Sequence, residues 1–364
     1  GYNMKNIYYS LNKILKHKAL YNVIFGQRSN GKTFAVIDLM LKTFCKTGNP
    51  SAYIRRLDSE IVPAEVFPLL RPHMENIKKY SKGKYNDYMY KSRCFYLIHR
   101  DDNGDVKEIS PAFIYCFALS ISTKSKGADR GEFAYTLFDE FLTRKFYLNN
   151  EFLLYTEILS TIMRDRDGTI HFLVGNTVNK YCPYFSEMGL THVTEQEQGT
   201  IDTYTYNNTD LKVAVEYCAM SDTSKPVSKY FAFDNPQLNM ITRGMWELAS
   251  YPHCMESVTK QDIAAKCYII FDKNTLCVNI VRKNDVFLLV TPQTHSIPEN
   301  HIVYTYTANN NPYYIHDIRK DNTKLSKLLY NLIAQNKVFF TDNLTGEIFN
   351  NWIKYALKMQ IWRQ

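Results

Sequence analysis

The stretch Gly26-Gln27-Arg28-Ser29-Asn30-Gly31-Lys32-Thr33 constrains the fold of this chain more than any other. Its pattern, G-x-x-x-x-G-K-T, is a glycine loop that cradles phosphates when it joins a strand to a helix. Both neighbours are legible. Tyr21-Asn22-Val23-Ile24-Phe25 is short and β-prone, and Phe34, Ile37, Met40, Leu41 and Phe44 recur at helical spacing as one apolar stripe. Glycine backbone brings N–H groups onto phosphate oxygens, and the helix N-terminus adds its partial positive charge at the same point. Lys32 is placed to reach the β- and γ-phosphates, and Thr33 to offer its hydroxyl to Mg²⁺. The expectation is an α/β domain that binds ATP with Mg²⁺ through residues 26–33.

Hydrolysis needs carboxylates as well. Ala134-Tyr135-Thr136-Leu137-Phe138-Asp139-Glu140 reads as a buried strand ending in two acids, the Walker B pattern. Asp139 would hold the Mg²⁺ shell, and Glu140 would take up the proton of the attacking water. The next strand, Ile170 to Val174, ends in Gly175-Asn176. Asn176 is either a γ-phosphate sensor or an asparagine in an ordinary turn. Between these strands a helix with apolar Phe152, Leu153, Leu154, Ile158, Leu159 and Ile162 closes on Met163-Arg164-Asp165-Arg166. Its arginines either serve a neighbouring subunit as an arginine finger or satisfy the helix terminus.

At 364 residues the chain suits two domains. A formal charge of +8 leans mildly toward a polyanionic partner. Eight cysteines (Cys45, Cys94, Cys116, Cys182, Cys218, Cys254, Cys267, Cys277) form no C-x-x-C pair and no zinc spacing. They read as free thiols of a reducing cytosol. No apolar run is long enough for a membrane span. Gly1-Tyr2-Asn3-Met4 lacks a signal-peptide pattern, and its first three residues are compatible with a cloning remnant before a native Met4.

Along the chain, residues 5–19 read as a short amphipathic helix, and Ala52-Tyr53-Ile54 as a strand closed by Arg55-Arg56. Pro63, Pro68 and Pro72 break any helix over 61–77. The stretch 78–93 interleaves lysines with tyrosines, as a nucleic-acid-contacting loop or a solvated insertion would. A hairpin over Cys94–His99 and Val106–Ile109 turns at Asn103-Gly104, and Ile114 to Leu119 reads as a further buried strand. The expected domains are 1–221 and 257–364, with a linker over 222–256. The second carries strands at Cys267–Phe271, Thr275–Val281 and Val286–Val290, then helices from Leu325 to Leu332 and Ile348 to Ile361.

The run V-I-F-G-Q-R-S-N-G-K-T, Y-I-R-R, S-T-K-S-K-G, T-L-F-D-E-F, I-M-R-D-R and L-V-G-N-T-V-N-K-Y-C-P-Y-F resembles the genome-packaging ATPases of small tailed phages with protein-capped linear DNA. The likeness covers about residues 20–190. It implies an additional-strand P-loop ATPase domain with a mostly parallel sheet, assembled as a homopentameric ring. Such a ring pumps double-stranded DNA into a procapsid in the infected bacterium's cytoplasm, docked on the capsid portal by a prohead RNA. The resemblance assigns Lys32 and Thr33 to Walker A, Asp139 and Glu140 to Walker B, and Arg164 to the trans-acting arginine. It also assigns Lys126 to a second basic group near the neighbour's nucleotide, and Asn176 to the sensor. The chain departs from the pattern at Leu57 and Asp58, which follow the double arginine where a lysine is expected.

For the C-terminal third the resemblance implies a degenerate RNase H-like domain without metal-binding acids. Residues 257–364 hold 13 Lys/Arg against eight Asp/Glu, and the acids form no D-x-D or D-E pair. That balance suits sequence-blind contact with phosphate backbones. Two rival readings remain: a terminase whose C-terminal nuclease is active, and a nucleotide-switched scaffold protein that hardly turns ATP over.

Overall fold

The computed structural model describes residues 9–28, 31–121, 130–143, 147–148, 150–164, 166–178, 182–220, 246, 251–254 and 256–358. These form two compact units. The larger takes its residues from 1–144, 150–180 and 190–247, and the smaller from 145–149, 181–189 and 248–364. Most of the linker expected over 222–256, and its boundary near residue 222, lie outside the described residues.

In the larger unit nine strands make one sheet: β1 (Tyr21–Gly26), β2 (Ser51–Arg55), β3 (Asp87–Lys91), β4 (Cys94–Arg100), β5 (Val106–Ala118), β6 (Tyr135–Asp139), β7 (Ile170–Asn176), β8 (Thr200–Thr205) and β9 (Lys212–Tyr217). Their order is β3-β4-β5-β2-β6-β7-β1-β9-β8. The six strands from β5 to β9 run parallel, and the two margins add antiparallel strands. β7 therefore stands between the strand that enters the glycine loop and the strand that ends in Asp139, as the additional-strand expectation requires. The parallel strands are buried, with β1 reading Val23, Ile24 and Phe25 at 1% exposure or less.

Helix α1 (Asn12–Leu15) is shorter than the reading of 5–19, and residues before 9 lie outside the described ones. Helix α2 (Lys32–Thr47) follows the loop and buries Val36, Ile37, Met40, Leu41 and Phe44. Phe34, expected in that stripe, is instead half-exposed and stacks on His73 at 4.2 Å. The reason is geometric: position 34 falls one turn ahead of the buried arc and faces the next segment. There the prolines divide the chain into α3 (Pro63–Val66), a 3₁₀ stretch Phe67–His73 and α4 (Met74–Tyr80).

The stretch 78–93 is not a free loop. It leaves α4, turns, and becomes β3, and its tyrosines face inward. Tyr85 and Tyr88 are buried, the Tyr88 hydroxyl donates to Phe67 O, and that of Tyr90 donates to Ile61 O. Lys84 and Arg93 are ion-paired with Glu108 and Asp58. The aromatic interleaving is thus core packing, not a stacking platform for bases. The expected hairpin and following strand are also one element. β5 runs unbroken through Pro111, pairing antiparallel with β4 and parallel with β2. Register shifts on either side of Tyr96 absorb the proline, and the Ser110 hydroxyl accepts from Leu97 N at 2.9 Å.

Helix α5 (Glu151–Met163) lies between β6 and β7 in the chain and ends at Arg164 in a left-handed conformation (φ 43°). In the smaller unit, α6 (Pro183–Glu187) accompanies a six-stranded sheet of β10 (Ile263–Phe271), β11 (Asn274–Arg282), β12 (Val286–Pro292), β13 (Val303–Thr305), β14 (Tyr314–Ile315) and β15 (Val338–Phe340). The order is β14-β13-β10-β11-β12-β15. Three antiparallel strands are followed by parallel β13 and β14 beside the first of them, which is the order of an RNase H-like sheet. Helices α7 (Lys324–Ala334) and α8 (Asn343–Leu357) pack on it, with Leu329, Ile333, Phe349 and Ile353 fully buried.

Candidate active site

The tips of β1, β6 and β7 meet at one edge of the larger sheet, as register dictates: Gly26 lies level with Asn176, and Asp139 with Val174. Two glycines shape the loop. Gly31 has φ 87°, a left-handed angle that starts α2 without strain only in glycine. At Gly26 any side chain would meet Cys218 Cβ at 2.9 Å, so β1 and the end of β9 approach closely only because that position is bare.

The residues read as Walker A and Walker B converge. The Thr33 hydroxyl donates to Asp139 Oδ1 at 2.9 Å, across 106 positions of sequence. Lys32 Nζ donates to Gln27 O at 2.5 Å and to Asn176 Oδ1 at 3.3 Å. Lys32 is only 4% exposed. Burial pushes its ammonium down to about 8 from the ordinary 10.5, against the opposing pull of Cys218 and Asp139. A lysine held at such cost and folded onto its own loop carbonyl is poised for an anionic partner. Arg28 is exposed. Ser29 and Asn30 lie outside the described residues, as does Lys126.

Glu140 sits at φ 61°, an uncommon angle for a glutamate, which turns its side chain off the strand line. Its carboxylate is 59% exposed and accepts from Arg55 Nη2 at 2.9 Å. Arg55 also pairs with Glu60. Asp139 receives a second bond at Oδ2, from the fully buried Tyr53 hydroxyl at 2.8 Å. Tyr53, the two arginines after it and Glu151 were not picked out as site residues by sequence reasoning. The signal available was the pair Arg55-Arg56 at the tip of a buried strand, where charge needs a partner. Arg164, at the far end of α5, is exposed.

The acids of the smaller unit are engaged separately. Asp262 and Asp342 accept from the amides of Thr259 and Thr345, Asp285 pairs with Lys337, Asp317 with Arg319, and Asp272 accepts from the Tyr306 hydroxyl at 3.2 Å. Among the described residues no group of three or more His, Cys, Asp or Glu could hold a metal ion. No helix among them is long and apolar enough to cross a membrane.

Comparison with known proteins places this geometry in a lineage. The profile of the Podovirus DNA encapsidation protein (Gp16) family matches residues 3–209. The DNA packaging proteins of Bacillus phages phi29 and PZA are each 23% identical over 189 residues, 50% of this chain and 50% of theirs. The chain thus spans about half the length of the curated relatives it matches. Two solved structures share its fold over nearly its whole length. The Phi-28 gp11 DNA packaging motor gives a TM-score of 0.61 at 19% identity, covering 99% of this chain and 100% of that one. The bacteriophage Phi-29 genome packaging motor assembly gives 0.56 at 20%, covering 98% and 100%. With more than half of its length matched by the family profile, and the motif residues gathered at one sheet edge, the chain belongs to the Podovirus DNA encapsidation protein (Gp16) family.

Proposed function

We propose that this protein is an ATP-hydrolysing subunit of a ring motor that drives double-stranded viral DNA into a procapsid. The observation that carries the reading is the bond between Thr33 and Asp139, with Lys32 buried alongside. That trio is what a nucleotide with its cation requires, and nothing in an inert scaffold calls for a buried ammonium between two strand tips.

The residues present fit Mg²⁺: a hydroxyl and a carboxylate already within hydrogen-bond distance, at the start of a helix, offer the hard oxygen donors this ion takes. Thr33 and Asp139 would hold it, and bound there it would neutralise charge on the phosphate oxygens. Backbone N–H groups of residues 26–33 bind the phosphates, and Lys32 leaves Gln27 O to meet them. Tyr53 keeps Asp139 oriented. Asn176, level with the loop, orients the attacking water, and Glu140 accepts its proton once free of Arg55. Arg164 is exposed at a helix end, the placement a residue needs to reach a neighbour's nucleotide. Lys126 is assigned a second basic role there by family pattern alone.

A homopentamer, docked through a prohead RNA on the portal in the host cytoplasm, follows from the same family pattern. The smaller unit then supplies basic surface for phosphate backbones. The test is DNA-stimulated phosphate release by the assembled protein. Wild type should turn over, and Lys32→Ala and Glu140→Gln should fall at least a hundredfold. Equal rates in all three would refute the reading. A DNA-nicking activity requiring Mn²⁺ and lost in Asp272→Asn would favour the terminase alternative.

A further inference from the structure

Arg56 is 7% exposed and divides its guanidinium between Glu151 and the turn that presents Glu140. Nε and Nη2 make a two-pronged pair with Glu151, at 2.5 and 2.9 Å, and Glu151 is itself 2% exposed. Nη1 donates to Glu140 O at 3.1 Å and Nη2 to Phe141 O at 2.8 Å. The plane also lies 5.5 Å from the centre of the Phe138 ring. A planar fork of five donors suits this task, and a lysine could not perform it.

We propose that Arg56 is a positioning residue for hydrolysis: it locks the left-handed turn at Glu140 and ties that turn to the first residue of α5. The proposal rests on Glu140 being the hydrolytic base. Two carbonyls in succession, Glu140 O and Phe141 O, point at one guanidinium, which holds the backbone where a glutamate would not otherwise stay. Glu151 holds the guanidinium in turn. Because Glu151 opens the helix whose far end is Arg164, the same pair ties the turn at Glu140 to that helix.

The experiment compares wild type, Arg56→Lys and Glu151→Gln as full-length assembled protein. Steady-state ATP hydrolysis is read with hydrogen exchange of peptides covering 139–143. The Phe141 amide, bonded to Val174 O at 3.3 Å, reports the turn directly. In Arg56→Lys, kcat should fall at least tenfold while KM for ATP stays within threefold, and exchange at 139–143 should rise at least tenfold. Glu151→Gln keeps one acceptor and the carbonyl contacts, so its losses should be smaller in both measures. If Arg56→Lys does not fold, the graded effect in Glu151→Gln decides alone. Unchanged exchange at 139–143, or a fall in kcat matched by KM, would overturn the proposal. Wild type without ATP hydrolysis would instead sink the functional reading, and the exchange result would still decide the structural lock.

Discussion

Lys32 makes a prediction that runs against intuition: removing it should stabilise the nucleotide-free protein. Its ammonium, held near 8 instead of 10.5, costs the folded state about 3 kcal/mol at neutral pH, at roughly 1.4 kcal/mol per tenfold change in proton affinity. Lys32→Met removes that cost, fills the same space, and leaves Gln27 O and Asn176 Oδ1 without this donor, an offset of about 1–2 kcal/mol for the two bonds. The net gain is about 1–2 kcal/mol, or roughly 2–8 °C in the melting of the larger unit. The sign with pH is fixed. Between about pH 8 and 10.5 the unfolded lysine keeps its proton and the folded one releases it, so wild-type stability rises through that window. The advantage of Lys32→Met should therefore be full at pH 7 and fade as pH approaches 10.5. Calorimetry at pH 7 and pH 10 measures both, and saturating Mg-ATP should reverse the order by stabilising wild type alone. A variant that melts below wild type at pH 7 without nucleotide, or a difference insensitive to pH, would refute the reasoning.

Gly346→Ala, a helical substitution that ordinarily stabilises by about 1 kcal/mol, should here cost about 1–3 kcal/mol. Its new methyl would collide with the Tyr251 ring, and a thermal melt of the full chain reads the loss. Arg164→Ala should abolish hydrolysis in assembled rings while leaving nucleotide affinity within threefold; mixing it with Lys32→Ala subunits should restore partial activity, and no restoration would place the arginine outside the neighbour's site. His73 and His171 are both held down near 4 by burial, with Asp38 opposing the effect at His73. Stability should therefore drop as pH falls from about 6.5 to 4, and His171→Gln should lessen that drop in denaturant titrations.

The site's first half was open to sequence reasoning because it is local. Loop, strand and helix lie within a few tens of residues, and Asp139-Glu140 end an apolar run. What stayed hidden is contact across the sheet. Nothing in Ala52-Tyr53-Ile54 tells that the Tyr53 hydroxyl reaches Asp139, since strand order, not sequence proximity, sets β2 beside β6. Nothing in the sequence marks Glu151, and only the fold reveals its buried partner Arg56. The tyrosines of 78–93 misled in the other direction. Composition alone cannot distinguish rings awaiting a base from rings packed beneath a strand, and pairing with β4 decides it. In the smaller unit, alternating apolar runs announced three strands clearly, whereas two-residue β14 has too little periodicity to be read.

The strand inserted between β1 and β6 fixes the breadth of the cleft. Two inter-strand spacings of about 4.8 Å separate the loop's entry from the acid's tip, a gutter of roughly 10 Å. The inserted strand carries Asn176 to the floor of that gutter, where its Oδ1 meets Lys32 Nζ, while Thr33 reaches across to Asp139. One threonine hydroxyl thus spans the two halves of the engine, with an amide seated on the ribbon between them.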